Sequence, residues 1–155
     1  MGIFDFFRRK KLSKQELQLY LNIANQNIKI FQESQKLFQE TTNPDVFFSR
    51  YDQAIKCLKE LQYISNLSNG AIKYSIKDIP GLIIKFESNR EKVTNEFITR
   101  YFTHSKEKAE KLKTEKGRSN NAKKSYDKLM KHSDKLTDKQ IENIKSLWKT
   151  ININL

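Results

Sequence analysis

The sequence predicts an all-α protein, an elongated bundle of four to five helices whose first two form an antiparallel hairpin. Three observations predict it. Apolar residues recur every three or four positions through most of the chain, the period of a helix with one face in a core. Only 4 Gly and 2 Pro occur in 155 residues, so the chain has few places to turn. Ser, Thr and Asn stand just ahead of several periodic runs, where a helix needs its first amides capped. This length fits one domain able to bury a core without disulfides or metals. It divides into an amino-terminal apolar and basic arm over 1–12 and a single helical domain over 13–155.

The first helix is expected from about 13 to 40. In SKQE, Ser13 can cap the helix while Glu16 reaches back to the Ser13 amide, a capping box. Leu17, Leu21, Ala24, Ile28, Phe31 and Phe38 form the stripe that follows, widened by Tyr20, Ile23, Ile30 and Leu37. A stripe that broad suits a helix with two neighbours. TTNPD then ends one helix and begins the next: Asn43 caps, Pro44 suits the first helical position, and Asp45 meets the positive end of the dipole. Phe47, Tyr51, Ala54, Ile55, Leu58 and Leu61 face inward, and so short a connection favours antiparallel neighbours.

Residues 65–81 are irregular. Ile72, Tyr74 and Ile76 alternate with polar residues, but a lone strand has no partner, so an extended connector over the helices is expected. Pro80 opens the longest helix, about 80–116, with Gly117 as its stop. Such a helix spans roughly 50 Å, longer than a compact domain of this size is wide. Its basic end therefore protrudes, meets the last helices or meets another subunit. After GRSNN a short helix carries Tyr126, Leu129 and Met130. TDKQ then offers a second capping box, Thr137 with Gln140, ahead of Ile141, Ile144, Leu147 and Trp148.

Net charge is +12, and residues 104–155 hold fourteen cations against seven anions, an excess of seven. A field of that sign points to an acidic partner: nucleic acid, anionic lipid or an acidic protein surface. The candidates for anion binding are Arg8, Arg9, Lys10 and Lys11 in the arm, with Lys113, Lys116, Arg118, Lys123 and Lys124 in the last third. Only six of the thirty basic residues are arginine, the residue that suits bidentate phosphate and base contacts. No recognised DNA- or RNA-binding motif is present.

Catalytic signals are weak throughout. Cys57 is the only cysteine, which excludes an internal disulfide and fits a reducing cytoplasm. The carboxylate di-metal pattern needs Glu three residues before His; Tyr101 stands there for His104 and Leu129 for His132. The glycines are isolated and form no phosphate loop. No stretch approaches the roughly 20 apolar residues of a membrane span, and the arm is a poor signal peptide because its cations follow its apolar patch. Neither catalytic residues, metal nor cofactor are expected.

NPDVFFSRYDQAIKCLKEL, followed downstream by FITRYF and EKAEKLKTEKG, resembles a family of small uncharacterised proteins from low-GC Gram-positive bacteria and their phages. Those relatives also begin with an MGLFDF-like stretch and a lysine run, as MGIFDFFRRKK does here. The resemblance covers the amino end, residues 43–61 and roughly 97–136. It implies a small cytoplasmic helical protein linked to phage or prophage, and it brings no activity with it.

The functional expectation is a non-enzymatic protein-interaction module. Aromatics and Arg dominate interface hot spots, so Phe48, Arg50 and Arg100 are read as a partner-binding patch, with homo-oligomerisation a further option. Phe4, Phe6 and Phe7 extend that reading to the arm, which either docks on a partner or membrane, folds back, or stays unstructured. The alternative is a nonspecific nucleic-acid or anionic-membrane binder working through the basic last third.

Overall fold

A computed structural model describes residues 11–151. Among them are six α-helices: α1 Lys14–Glu40, α2 Pro44–Leu67, α3 Ile79–Ser88, α4 Arg90–Glu110, α5 Glu115–Met130 and α6 Asp138–Lys149. A single 3-10 turn, Ser133–Lys135, precedes α6, and no strand is present among the described residues. None of these helices is long and apolar enough to cross a membrane.

The described residues form two compact units. The first takes those up to Gln35 together with Asp52–Glu87; the second takes Lys36–Tyr51 and those from Ser88 onward. Helices α1 and α2 thus contribute to both.

In the first unit the buried residues are mostly aliphatic: Ala24 and Ile28 of α1, Ala54, Leu58, Leu61 and Ile64 of α2, and Ile79 and Ile83 of α3. Phe31 and Phe86 meet at 5.7 Å between ring centres. The capping box forms as its spacing requires: the Glu16 amide donates to Ser13 Oγ and the Ser13 amide to the Glu16 carboxylate, at 3.1 and 2.7 Å. The connector before α3 is neither helix nor strand, yet its alternation is real. Ile72 is buried and Tyr74 and Ile76 are half-buried, while Ala71, Lys73, Ser75 and Lys77 are exposed. The Tyr74 hydroxyl donates to the Leu61 carbonyl at 2.9 Å, tying the connector to α2. Asp78 then turns the chain at a positive φ of 52° and accepts the Gly81 amide with its carboxylate.

The second unit is built on rings. Phe47 stacks on Phe97 at 4.1 Å and 9°, and contacts continue through Tyr101 to Trp148, which is fully buried. Buried polar atoms in this unit find partners. The Trp148 indole N–H donates to the Ala122 carbonyl and to Ser125 Oγ, and the Tyr101 hydroxyl donates to the Ser125 carbonyl. Gln140 closes the second capping box with Thr137 and also donates to Asn95 Oδ1 and the Glu91 carbonyl.

The expected helix over 80–116 is corrected in two places. It breaks at Asn89, whose φ of −90° and ψ of 1° leave the helical region, so α3 and α4 are separate. It also ends at Glu110, before Gly117. Thr114 adopts an extended conformation and accepts the Gly117 amide with its hydroxyl, which starts α5 at Glu115, two residues ahead of the glycine. Gly117 is therefore a first-turn residue. A Cβ there would stand 2.8 Å from Thr114 Oγ1, so the glycine makes room for the cap rather than stopping a helix. The break at Asn89 raises the count from the expected four or five helices to six, and the end at Glu110 moves the boundary with α5.

Candidate anion-binding groove

The residues chosen as a partner patch are drawn into the second unit. Phe47 and Phe48 point about 100° apart on α2, and this unit covers both directions. Phe48 is 2% exposed, with Phe47, Phe97 and the His132 imidazole around it at 5.0, 6.1 and 4.7 Å. It belongs to the core, which corrects the surface role expected for it. Arg100 is half-buried, and its guanidinium donates to the carbonyls of Thr41 and Phe38 at 3.0 and 3.1 Å. Those carbonyls lie at the end of α1, where helical acceptors lack partners and a cation meets the negative end of the dipole. Arg100 is thus a clasp on α1, not a free hot spot. Arg50 is half-buried and engaged. Phe4, Phe6, Phe7, Arg8, Arg9 and Lys10 lie outside the described residues, so the readings made of the arm do as well.

The basic candidates of the last third do not form one cluster. Lys123 pairs with Asp127 one turn on, at 3.2 Å. Arg118 donates to the Leu112 carbonyl at 2.8 Å and so braces the link between α4 and α5. Together with Lys116 it lines a hollow of about 680 Å³ that also holds Glu110 and Glu115, which offset the positive charge. Lys113 is exposed on the link itself, and Lys11 borders a smaller hollow of the first unit beside Leu17 and Leu67.

Lys124 has different company. It borders a groove of about 360 Å³ where α4 packs on α5, facing His104 and Lys108 from α4 and Lys128 from its own helix. Thr42, Asn43 and Asn121 add neutral donors and acceptors, and no lining residue is a carboxylate. The arrangement follows from helix geometry, because residues four apart share a face. His104 with Lys108 and Lys124 with Lys128 are two such pairs on packed helices. Beneath them the surface is held firmly. The Tyr101 hydroxyl is tied to Ser125, and burial pushes its pKa up to about 12, so it stays a neutral donor. Ser105 donates to the Tyr101 carbonyl at 2.8 Å. Lys108 and Lys124 make no ion pair among the described residues, whereas Lys128 stands 3.6 Å from Asp45 Oδ2.

Asp45 sits just outside the groove in the first turn of α2. Its Oδ1 lies 2.8 Å from His132 Nε2, and this bond, with Lys128 beside it, holds the carboxyl below its usual range despite a smaller opposing effect of burial. The His132 ring lies against Phe48, so Asp45 and Phe48 fix it as a structural residue.

Sequence reasoning found Lys124 here but missed His104, Lys108 and Lys128. The available signal was the repeated four-residue spacing of bases on consecutive helices. That signal is weak, since solvated helix faces carry the same pattern.

Chemistry other than anion binding has little to build on. Cys57 is buried, and desolvation, then Glu60, raises its thiol pKa, so it is protonated at neutral pH and a poor nucleophile. Among the described residues no three His, Cys, Asp or Glu side chains converge as metal ligands. Family models, curated proteins and solved structures contain no match to this chain.

Proposed function

We propose that this chain is a non-enzymatic binding module whose basic last third engages a polyanion, with nucleic acid as the partner. The observation that carries the reading is the α4–α5 groove, bordered by three lysines and a histidine with no carboxylate in its lining and two of the lysines unpaired among the described residues. Phosphate contacts of this kind bind without reading sequence, as expected for a lysine-rich surface. Fluorescence anisotropy with single-stranded DNA across a salt series tests it. Affinity should fall log-linearly with salt, and Lys108→Ala with Lys124→Ala should lower the slope by roughly 1.4 if both meet phosphate. Absence of binding at low salt removes the reading.

A protein partner is the second reading. Leu19 and Ile23 stand one turn apart on α1 and are exposed by 57% and 36%, and Tyr63 and Ile84 are more exposed still. Binding through such residues would change little between low and physiological salt, and self-association of the chain would register in light scattering. A cytoplasmic location and the kinship with small phage-linked Gram-positive proteins belong to this proposal, the latter supported by NPDVFFSRYD and EKAEKLKTEKG. The antiparallel pairing of the first two helices belongs to it too. Its support is the short turn at 41–43 and the packing of Phe38 against Phe47 and Tyr51.

A further inference from the structure

We infer that the α4–α5 groove is a pocket for a phosphate monoester, the dianionic phosphoryl end of a larger molecule, rather than a stretch of surface along which a diester backbone lies. The inference rests on the polyanion reading above and sharpens it.

Charge is the first argument. Lys108, Lys124 and Lys128 bring three positive charges to the groove, and Asp45 offsets one of them through Lys128. Two charges stay uncompensated. A monoester carries about −1.5 to −2 near neutral pH, which these two match, whereas a diester offers a single charge.

Donor supply is the second. A terminal phosphoryl group presents three strong acceptor oxygens. The ammonium groups of Lys108 and Lys124, the Asn121 amide and the Thr42 hydroxyl can all donate from the rim, and none of these groups is committed to another described residue. The hydroxyls of Tyr101, Ser105 and Ser125 are spent on carbonyls, so they stiffen the floor and leave recognition to the lysines.

Size is the third. About 360 Å³ lies near the lower end of small-ligand sites. It has room for a phosphoryl group with one attached sugar or glycerol.

The test uses two oligonucleotides of one sequence, one ending in a 5′-phosphate and the other in a 5′-hydroxyl. A parallel arm uses phosphatidylcholine vesicles doped with phosphatidic acid, a monoester, or with phosphatidylglycerol, a diester. The full chain should prefer the phosphorylated oligonucleotide by about tenfold or more, the usual worth of charge-assisted hydrogen bonds. Lys108→Ala with Lys124→Ala should erase the preference while leaving the thermal melt unchanged, because neither side chain has an internal partner. A preference seen only on phosphatidic acid vesicles, and lost in the same variant, supports the same pocket with a lipid source. Equal, salt-sensitive binding of both oligonucleotides overturns the pocket and leaves the polyanion reading standing. A preference that survives the lysine substitutions overturns the pocket as well. Loss of all binding to every probe ends both.

Discussion

The two units solve the same problem with different materials. The first buries mainly aliphatic side chains, and Ser34, fully buried on α1, has a hydroxyl without a partner among the described residues. The second buries a chain of rings from Phe47 through Phe97 and Tyr101 to Trp148, and its indole, phenol, amide and guanidinium groups reach backbone or side-chain partners far along the sequence. Rings with polar handles bury large areas only where those handles find partners. The aromatic unit is therefore the more precisely specified of the two. It is also the unit that bears the basic groove, whose lining includes the tied hydroxyls of Tyr101, Ser105 and Ser125.

Four measurements sharpen or break this contrast. The largest effect should come from Trp148→Ala. It removes the centre of the ring cluster and should cost about 3–5 kcal/mol in urea unfolding followed by circular dichroism. A loss under about 1 kcal/mol would mean the cluster is loosely packed. Arg100→Met comes next. The Thr41 and Phe38 carbonyls lose charge-assisted bonds, worth about 1.5–3 kcal/mol, and the same unfolding assay should register a shift in that range. The first unit should respond with the opposite sign. Ser34→Ala deletes an unsatisfied hydroxyl and should raise stability by about 1 kcal/mol, and a lowered midpoint would show that the hydroxyl has a partner in solution.

The smallest effect is a pH dependence. The folded-state pKa of Asp45 is depressed by His132 and Lys128. Its contribution is thus fully present above the unfolded carboxyl value of about 3.9 and is lost as pH falls through the lower folded value. Because Asp45 is 59% exposed, the contribution should stay within about 0–1 kcal/mol. Melting curves of Asp45→Asn and the parent chain should differ slightly at pH 5 and converge as pH falls through the lowered folded value. A gap that widens on acidification would reverse the sign.

Much of the secondary structure was legible because its determinants lie three or four residues apart. Ser13 with Glu16, Asn43 ahead of Pro44, and Thr137 with Gln140 each act within a single turn. The helix start at Thr114 was legible in principle, since Thr114 meets Gly117 at the same short range. It was lost because glycine after a basic run reads first as a helix end.

The candidate site was much harder to read. His132 reaches Asp45 across 87 residues and Arg100 reaches Phe38 across 62. Nothing in a helical period says whether an arginine on a half-buried face meets solvent or a helix end.

The sequence alone determined that this chain is helical, where most of its helices begin, and that its last third is strongly basic. Hydrogen bonds within one turn and the 3.6-residue period decide those matters locally. Only the tertiary structure decided which rings and cations are spent inside and which face outward. Phe48 and Arg100 went in, while His104, Lys108, Lys124 and Lys128 converged on one groove. The first outcome depends on how α4 meets the end of α1 and the start of α2, the second on how α4 packs on α5, and neither packing can be read from a helical period.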